Sequence, residues 1–239
     1  MISIVIPTRN EEKIIETTLS GLKKLTLPHE IIIIDGKSTD KTIEIAKKYA
    51  DKIVDQNQSK PKTIAEGRNE GAAVATGDYI VFFDADCSIV DPNDFFQKAL
   101  AYFETHPKTV ALAARLKVLP EMATLMDKIV FACVNVTYAF FNNILHIGAA
   151  STELMMVKKE AFHKVGGFKA TLIAAEDINF FYAISRIGRT HLLRSLVVFH
   201  TGRRAHKVGW PKLLWEWFTN TISLIFFKKA ASKEWTVIR

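Results

Sequence analysis

The chain reads as an α/β protein built on a wound, mostly parallel central sheet with helices on both faces. Four short apolar runs, at residues 2–6, 30–34, 52–54 and 79–83, alternate with three helix-compatible segments, the order expected of parallel strands joined by right-handed crossovers. The loops after three of these runs, residues 7–10, 35–40 and 84–88, are polar or acidic, and this topology gathers them on one edge of the sheet, where α/β folds hold ligands. With 239 residues, 49% of them hydrophobic, the chain is long enough to close a core over such a sheet.

The elements follow in order. Residues 2–6 form a buried strand ending at Pro7. Asn10 is placed to cap a helix over 11–24, with Glu11 and Glu12 in its first turn and Ile15, Leu19 and Leu22 on one face. The strand 30–34 stops at Asp35-Gly36, and Ser38 or Thr39 caps a helix reaching Tyr49 with Ile43, Ala46 and Ala50 inward. After a short strand at 52–54, Pro61 suits the first turn of a helix that carries Arg68 and Asn69 and ends near residue 75. Gly77-Asp78 turns into the strand 79–83. The second half predicts a helix at 94–104, a strand at 109–118 and a long apolar helix-compatible stretch at 123–145. A strand at 154–157, a helix at 159–165, a Gly166-Gly167-Phe168 turn, a helix from Glu176 to about 186 and a last strand at 191–198 complete it. No linker separates the halves, so 1–205 is taken as one domain (1–90 and 91–205) and 206–239 as a tail.

Composition narrows the class. Net charge is +7, and the excess lies in the C-terminal half, where Lys207, Lys212, Lys228, Lys229, Lys233 and Arg239 surround an aromatic stretch. Such a balance attracts phosphate, whether on nucleotides, nucleic acid or an anionic membrane. Two cysteines, Cys87 and Cys133, give neither a disulfide framework nor metal-ligand spacing, and the start shows no basic leader pattern, so a reducing, cytoplasmic setting is expected.

The chemistry concentrates at Asp84 and Asp86, flanking Ala85 at the end of the most strand-like run. Burying two unpaired carboxylates costs several kcal/mol each unless cations or hydrogen bonds compensate. A divalent cation shared with a phosphorylated ligand, Mg²⁺ or Mn²⁺, suits such hard oxygens; a plain Asp-x-Asp-x-Ser turn is the alternative. Asp35 at a strand end can accept a base N–H and Thr8 can donate to a base oxygen, or Asp35-Gly36 is only a turn. The Arg68 guanidinium matches a diphosphate. Glu176-Asp177 supplies a carboxylate for proton abstraction or simply an acidic helix start. Trp210 to Lys229 is too interrupted, by Lys212, Glu216 and Asn220, to span a bilayer; it reads either as an interfacial membrane helix or as packing against the domain or a second subunit.

Taken in order, several segments resemble family 2 glycosyltransferases of the GT-A fold, over roughly residues 1–200. They are Val5-Ile6-Pro7-Thr8-Arg9-Asn10-Glu11, Ile34-Asp35-Gly36-Lys37-Ser38-Thr39-Asp40, Gly67-Arg68-Asn69-Glu70-Gly71, Gly77-Asp78 through Asp84-Ala85-Asp86, Gly166-Gly167-Phe168 and Glu176-Asp177. The resemblance implies that Pro7, Thr8, Asn10 and Glu11 wall a nucleotide pocket in a nucleotide-binding half, 1–90, facing an acceptor half, 91–205. It implies that Asp35 meets the base, that Asp84 faces ribose or metal, and that Asp86 ligates a metal on the diphosphate. Gly36 stands where family members often carry a second acid, which leaves the base open. It further implies Asp177 as the base of an inverting transfer, with Glu176 beside it, from a nucleotide-diphosphate sugar to an acceptor of unknown identity. His200 is a candidate third metal ligand, and Arg203 or Arg204 a diphosphate clamp. Two rival readings have weaker sequence support. A GT-A-like nucleotidyltransferase wants a glycine-rich N-terminal loop, which residues 7–11 lack. A binding module for nucleic acid or a membrane surface leaves the acidic strand ends unexplained, since they repel phosphate, and no nucleic-acid partner is expected.

Overall fold

The structure, a computed structural model, describes residues 1–55, 63–227 and 229–231. Its first half runs β1 (Ile2–Thr8), α1 (Ile15–Leu22), β2 (His29–Asp35), α2 (Thr42–Ala46), β3 (Lys52–Asp55), α3 (Ile64–Val74) and β4 (Tyr79–Phe83). The second half adds β5 (Cys87–Ser88), α4 (Pro92–Thr105), β6 (Thr109–Val118), α5 (Leu125–Ala139) running on into a π-helical turn (Phe140–Leu145), and β7 (Leu154–Lys158). It closes with α6 (Lys159–Val165), α7 (Glu176–Ser185), β8 (Arg189–His200), α8 (Arg203–Val208) and α9 (Trp210–Phe227).

The strands form one sheet in the order β3-β2-β1-β4-β7-β6-β8-β5. From β3 to β4 it is parallel, as the alternation predicts, because each crossover carries a helix. Beyond β4 it is mixed: β7 runs antiparallel to both β4 and β6, while β6 and β8 are parallel. That reversal matters for the site, because the start of β7 lies at the edge where β4 ends, with Leu154 opposite Phe83.

Both faces of the sheet are covered at its centre, so the central strands β1, β2, β4 and β7 are mostly apolar and buried. Ile4, Ile6, Ile31, Ile33, Val81 and Phe83 pack under α1 and α4; Val5, Ile32, Ile34, Ile80 and Phe82 pack on the opposite side. On that second side Phe82 meets Phe162, Phe168 and Phe180, which fixes the Gly-Gly-Phe turn and α7 against the centre of the sheet. α3 lies close on the same side: a Cβ at Gly71 would stand 2.3 Å from Val5 Cγ1, so only glycine permits the approach that carries Arg68 inward.

Local capping departs from expectation at three places. Asn10 caps no helix; it takes a left-handed φ of 55°, its side-chain oxygen accepts the Thr39 N–H, and α1 starts only at Ile15. Ser38 and Thr39 are spent on that loop-to-loop contact, so the next helix shrinks to Thr42–Ala46, its start bonded to the Asp40 carboxylate. Thr63 caps α3 in a reciprocal box with Glu66; Pro61 lies outside the described residues. Among the described residues one helix, Leu125–Leu145, is long and apolar enough to cross a membrane by length and composition, and 28% of its apolar window is buried.

Candidate active site

Parallel pairing sets Thr8 beside Asp35 at the ends of β1 and β2. The Gly36 N–H donates to the Thr8 carbonyl at 2.8 Å, and both Asp35 carboxylate oxygens accept the Ser38 N–H. Asp35-Gly36 is therefore a built turn, with Asp35 nearly buried. Pro7, Thr8, Asn10 and Glu11 stand on the adjoining loop, where the Glu11 N–H is held by Thr42 at 2.7 Å.

At the end of β4, Ala85 is buried and its carbonyl accepts the Thr18 hydroxyl, which turns Asp84 and Asp86 in different directions. Asp84 accepts Arg68 Nη2 at 3.0 Å. The same guanidinium donates from Nη1 to Glu176 at 2.8 Å and from Nη2 to Thr152 at 2.7 Å, and its carbon lies 5.6 Å from the Phe168 ring centre. Arg68 is 1% exposed. The guanidinium expected to match a diphosphate is instead committed to two carboxylates, because Gly71 lets α3 sink onto the sheet. Asn69 is likewise redirected, exchanging two hydrogen bonds with the backbone of Phe168, both at 2.8 Å.

That exchange makes a checkable prediction about Gly167. It has φ +74°, and a Cβ there would lie 2.6 Å from Asn69 Oδ1. Gly167→Ala should therefore lower stability by about 1–3 kcal/mol in chemical denaturation, through positive-φ strain and loss of the Asn69 clamp. A variant as stable as wild type would remove the clamp from the account.

Asp86 takes its partners from the other end of the chain. Its Oδ2 accepts the Thr201 hydroxyl at 2.6 Å and forms an ion pair with Arg203 Nε at 3.1 Å. Arg203 then grips Glu11 with both terminal nitrogens, at 2.6 and 2.8 Å. Arg203 thus bridges the loop after β1 to the loop after β4. Arg204 does not: it turns to Glu216 of α9 at 3.4 Å, because consecutive residues at a helix start point to different sides. His200, at the end of β8, is buried edge-on against Phe131, and burial pulls its pKa down. Its Nδ1 accepts the Gly202 N–H at 3.1 Å, which leaves the ring proton on Nε2, a buried atom without a hydrogen-bond partner. A ring so protonated offers no lone pair to a metal, so the expected third-ligand role of His200 is not supported by this geometry.

Asp177 follows Glu176 in the first turn of α7. Its Oδ1 accepts the Ile178 N–H at 2.7 Å. Burial, then the charge of Glu176, pushes its pKa up to about 7. Asp84 is raised to about 6, chiefly by burial, with Arg68 opposing. A third carboxylate escapes the sequence reading. Glu153 precedes β7, and the antiparallel register brings it beside Asp84; burial, then Asp84, lifts its pKa to about 8, and its Oε2 has no hydrogen-bond partner. The signal for it is the strand direction of β7, which residue pattern alone leaves undetermined.

The crevice therefore gathers Asp84, Asp86, Glu153, Glu176 and Asp177 near Arg68 and Arg203. Residues 3–172 match the model of the family described as glycosyl transferase family 2. The chain belongs to that family. Poly(ribitol-phosphate) beta-N-acetylglucosaminyltransferase TarS of Staphylococcus aureus is 31% identical over 116 residues, covering 46% of this chain and 20% of that protein. Poly-beta-1,6-N-acetyl-D-glucosamine synthase of Staphylococcus epidermidis is 29% identical over 188 residues, 74% of this chain and 44% of that protein. The chain thus spans between a fifth and under half the length of these curated relatives. Among solved structures, mannosyltransferase PcManGT from Pyrobaculum calidifontis, in complex with GDP-Man and Mn²⁺, superposes with a TM-score of 0.70 at 21% identity, covering 90% of this chain and 59% of that one. TarS 1–349 of S. aureus in complex with UDP-GlcNAc gives 0.66 at 21% identity, covering 83% and 57%. The family 2 chain accordingly has the GT-A fold.

Whether the residues fit a divalent cation is a question of donor chemistry. Asp84 and Asp86 offer hard oxygens, and Glu153 adds a buried oxygen without a hydrogen-bond partner. Among the described residues no three acidic, histidine or cysteine side chains already converge as a ligand set. That suits an ion such as Mg²⁺, which takes one or two carboxylates and completes its shell with substrate phosphates and water. The carboxylate pair fits; His200 is not required.

Proposed function

We propose that this family 2 chain transfers a sugar, with inversion, from a nucleotide-diphosphate sugar to an acceptor nucleophile, assisted by a divalent cation. The observation that carries the reading is the Arg68 bridge, which joins Asp84 at the donor side to Glu176 beside Asp177 within one buried network. In this reading the loop bearing Pro7, Thr8, Asn10 and Glu11, with Asp35, receives the nucleoside. Asp84 and Asp86 would hold the cation, which when bound supplies charge stabilisation for the departing diphosphate. Arg203, paired with Glu11 and Asp86, would offer its remaining N–H groups to the same phosphates. Asp177 takes the proton from the acceptor as its oxygen attacks the anomeric carbon, and a base held near neutrality suits that task. Glu176, anchored by Arg68, keeps the first turn of α7 in place so that Asp177 faces the crevice. UDP-GlcNAc and GDP-Man, carried by the two solved relatives, are the first donors to try.

Thermal shift with UDP, GDP and their sugars, with and without Mn²⁺, tests donor binding directly, because a ligand specific to the folded state raises its stability by RT ln(1 + [L]/Kd). A Mn²⁺-dependent rise for one nucleotide is expected. Asp86→Asn keeps the shape but removes the charge, and should weaken that binding by roughly tenfold or more, about 1.4 kcal/mol. Metal-dependent affinity equal to wild type in the folded variant would sink the site.

A further inference from the structure

The helix from Leu125 to Leu145 buries one side only. Val130, Phe131 and Ala139 enter the core, and Asp127, 1% exposed, closes the first turn by accepting Thr124. The outward side carries Leu125, Ile129, Val136, Phe140 and Ile144, and exposure reaches 74% at Leu125, 65% at Val136 and 66% at Ile144. Their spacing keeps to one stripe of a helix about 30 Å long. A helix on the surface of a water-soluble domain puts charge there; this one exposes only Lys128 among its charged residues.

α9 repeats the pattern. Trp210, Leu213 and Leu224 face inward, while Trp215, Phe218, Phe226 and Phe227 are exposed. Its charged residues are Lys212, exposed, and Glu216, already paired with Arg204. The two helices share one anchor: Asp127 accepts His206 Nε2 at 2.8 Å and Trp210 Nε1 at 2.9 Å, and Trp210 packs on Phe131.

We infer that the outer faces of the 125–145 helix and α9 lie in the headgroup region of an anionic phospholipid bilayer. Two apolar stripes on one molecule, rimmed by lysines, are the kind of exposed surface that marks a membrane or interaction site. The exposed charges on and directly after the helices among the described residues are lysines, Lys128, Lys212 and Lys229, which complement anionic headgroups. A second copy of the chain would instead bring its own lysines to the same self-complementary interface. The helix does not span, since withdrawing it would strip Val130, Phe131 and Asp127 from the core; it lies in the interface plane. If the transfer reading above holds, docking presents the crevice to a lipid-anchored acceptor; the docking itself does not depend on that reading.

Co-sedimentation of the full chain with vesicles of phosphatidylcholine alone, or mixed with phosphatidylglycerol, tests the inference. Binding to the mixed vesicles at low salt is expected, roughly tenfold or more above neutral vesicles, and falling as salt is raised. Ile129→Glu with Val136→Glu alters only exposed positions and should abolish binding with melting temperature unchanged; Lys128→Glu with Lys212→Glu should remove the preference for phosphatidylglycerol. Failure of wild type to bind mixed vesicles, or a double glutamate variant that binds as wild type does, overturns the inference. So does sedimentation equilibrium showing a dimer that Ile129→Glu with Val136→Glu dissociates while vesicles are ignored. Mn²⁺-dependent nucleotide binding, measured on the same variants, stays at the wild-type level and separates failure of docking from failure of the transfer reading.

Discussion

If Asp177 is the general base proposed above, Asp177→Asn is expected to lower sugar transfer by roughly 10²–10⁴-fold while leaving nucleotide binding nearly intact. The amide keeps the size of the side chain and can still accept the Ile178 N–H through its oxygen, so the first turn of α7 is retained. What disappears is the basicity of the carboxylate, since an amide oxygen still accepts hydrogen bonds but does not take up a proton near neutral pH. The pH profile gives an independent check. The Asp177 pKa stands near 7, so the free enzyme carries the competent carboxylate only above that value, and kcat/KM should rise through about pH 7 and level off beyond it. Transfer by the variant at near wild-type rate, or a profile flat from about pH 5 to 8, would move the role to Glu176 or Glu153.

Much of this was legible in the residues, and what was not has physical causes. Runs such as Ile31 to Ile34 and Tyr79 to Phe83 are buried on both faces, so periodicity and turn residues located the strands. The three loops they end in were bound to share an edge once the connections were right-handed. Strand direction past β4 was not legible, because an apolar run looks the same in either orientation; hence Glu153 was missed although it sits beside Asp84. Side-chain direction was also beyond reach. Arg68 and Asn69 occupy the stretch that the resemblance singled out, but only the close approach allowed by Gly71 turns the guanidinium to Asp84 and Glu176. The apolar stretch before residue 145 could have been a core helix, and its outward stripe became visible only with the sheet in place.

Arg68 sets the second large effect. Its guanidinium is the shared cation of a buried network, pairing with both Asp84 and Glu176 and also donating to Thr152. Arg68→Met fills a similar volume but strands two carboxylates, and removing one partner of a buried ion pair costs about 3–5 kcal/mol. Arg68→Lys keeps the charge but cannot fork to both carboxylates, so it should fall between the two. The loss depends on pH with a defined sign. Asp84 is already raised to about 6 by burial despite Arg68, and goes higher without it. A carboxylate with a raised folded pKa has its full stability when protonated and loses it as pH rises through that pKa, so the Arg68→Met deficit should be larger at about pH 8 than at about pH 5. Adding Asp84→Asn and Glu176→Gln to Arg68→Met makes the stranded groups neutral and should return a large share of the loss in urea denaturation, with a coupling energy well outside the roughly 0.5 kcal/mol expected of independent sites. Additive losses across the three positions, or an Arg68→Met protein as stable as wild type at both pH values, would mean that Arg68 does not hold the donor and acceptor sides together.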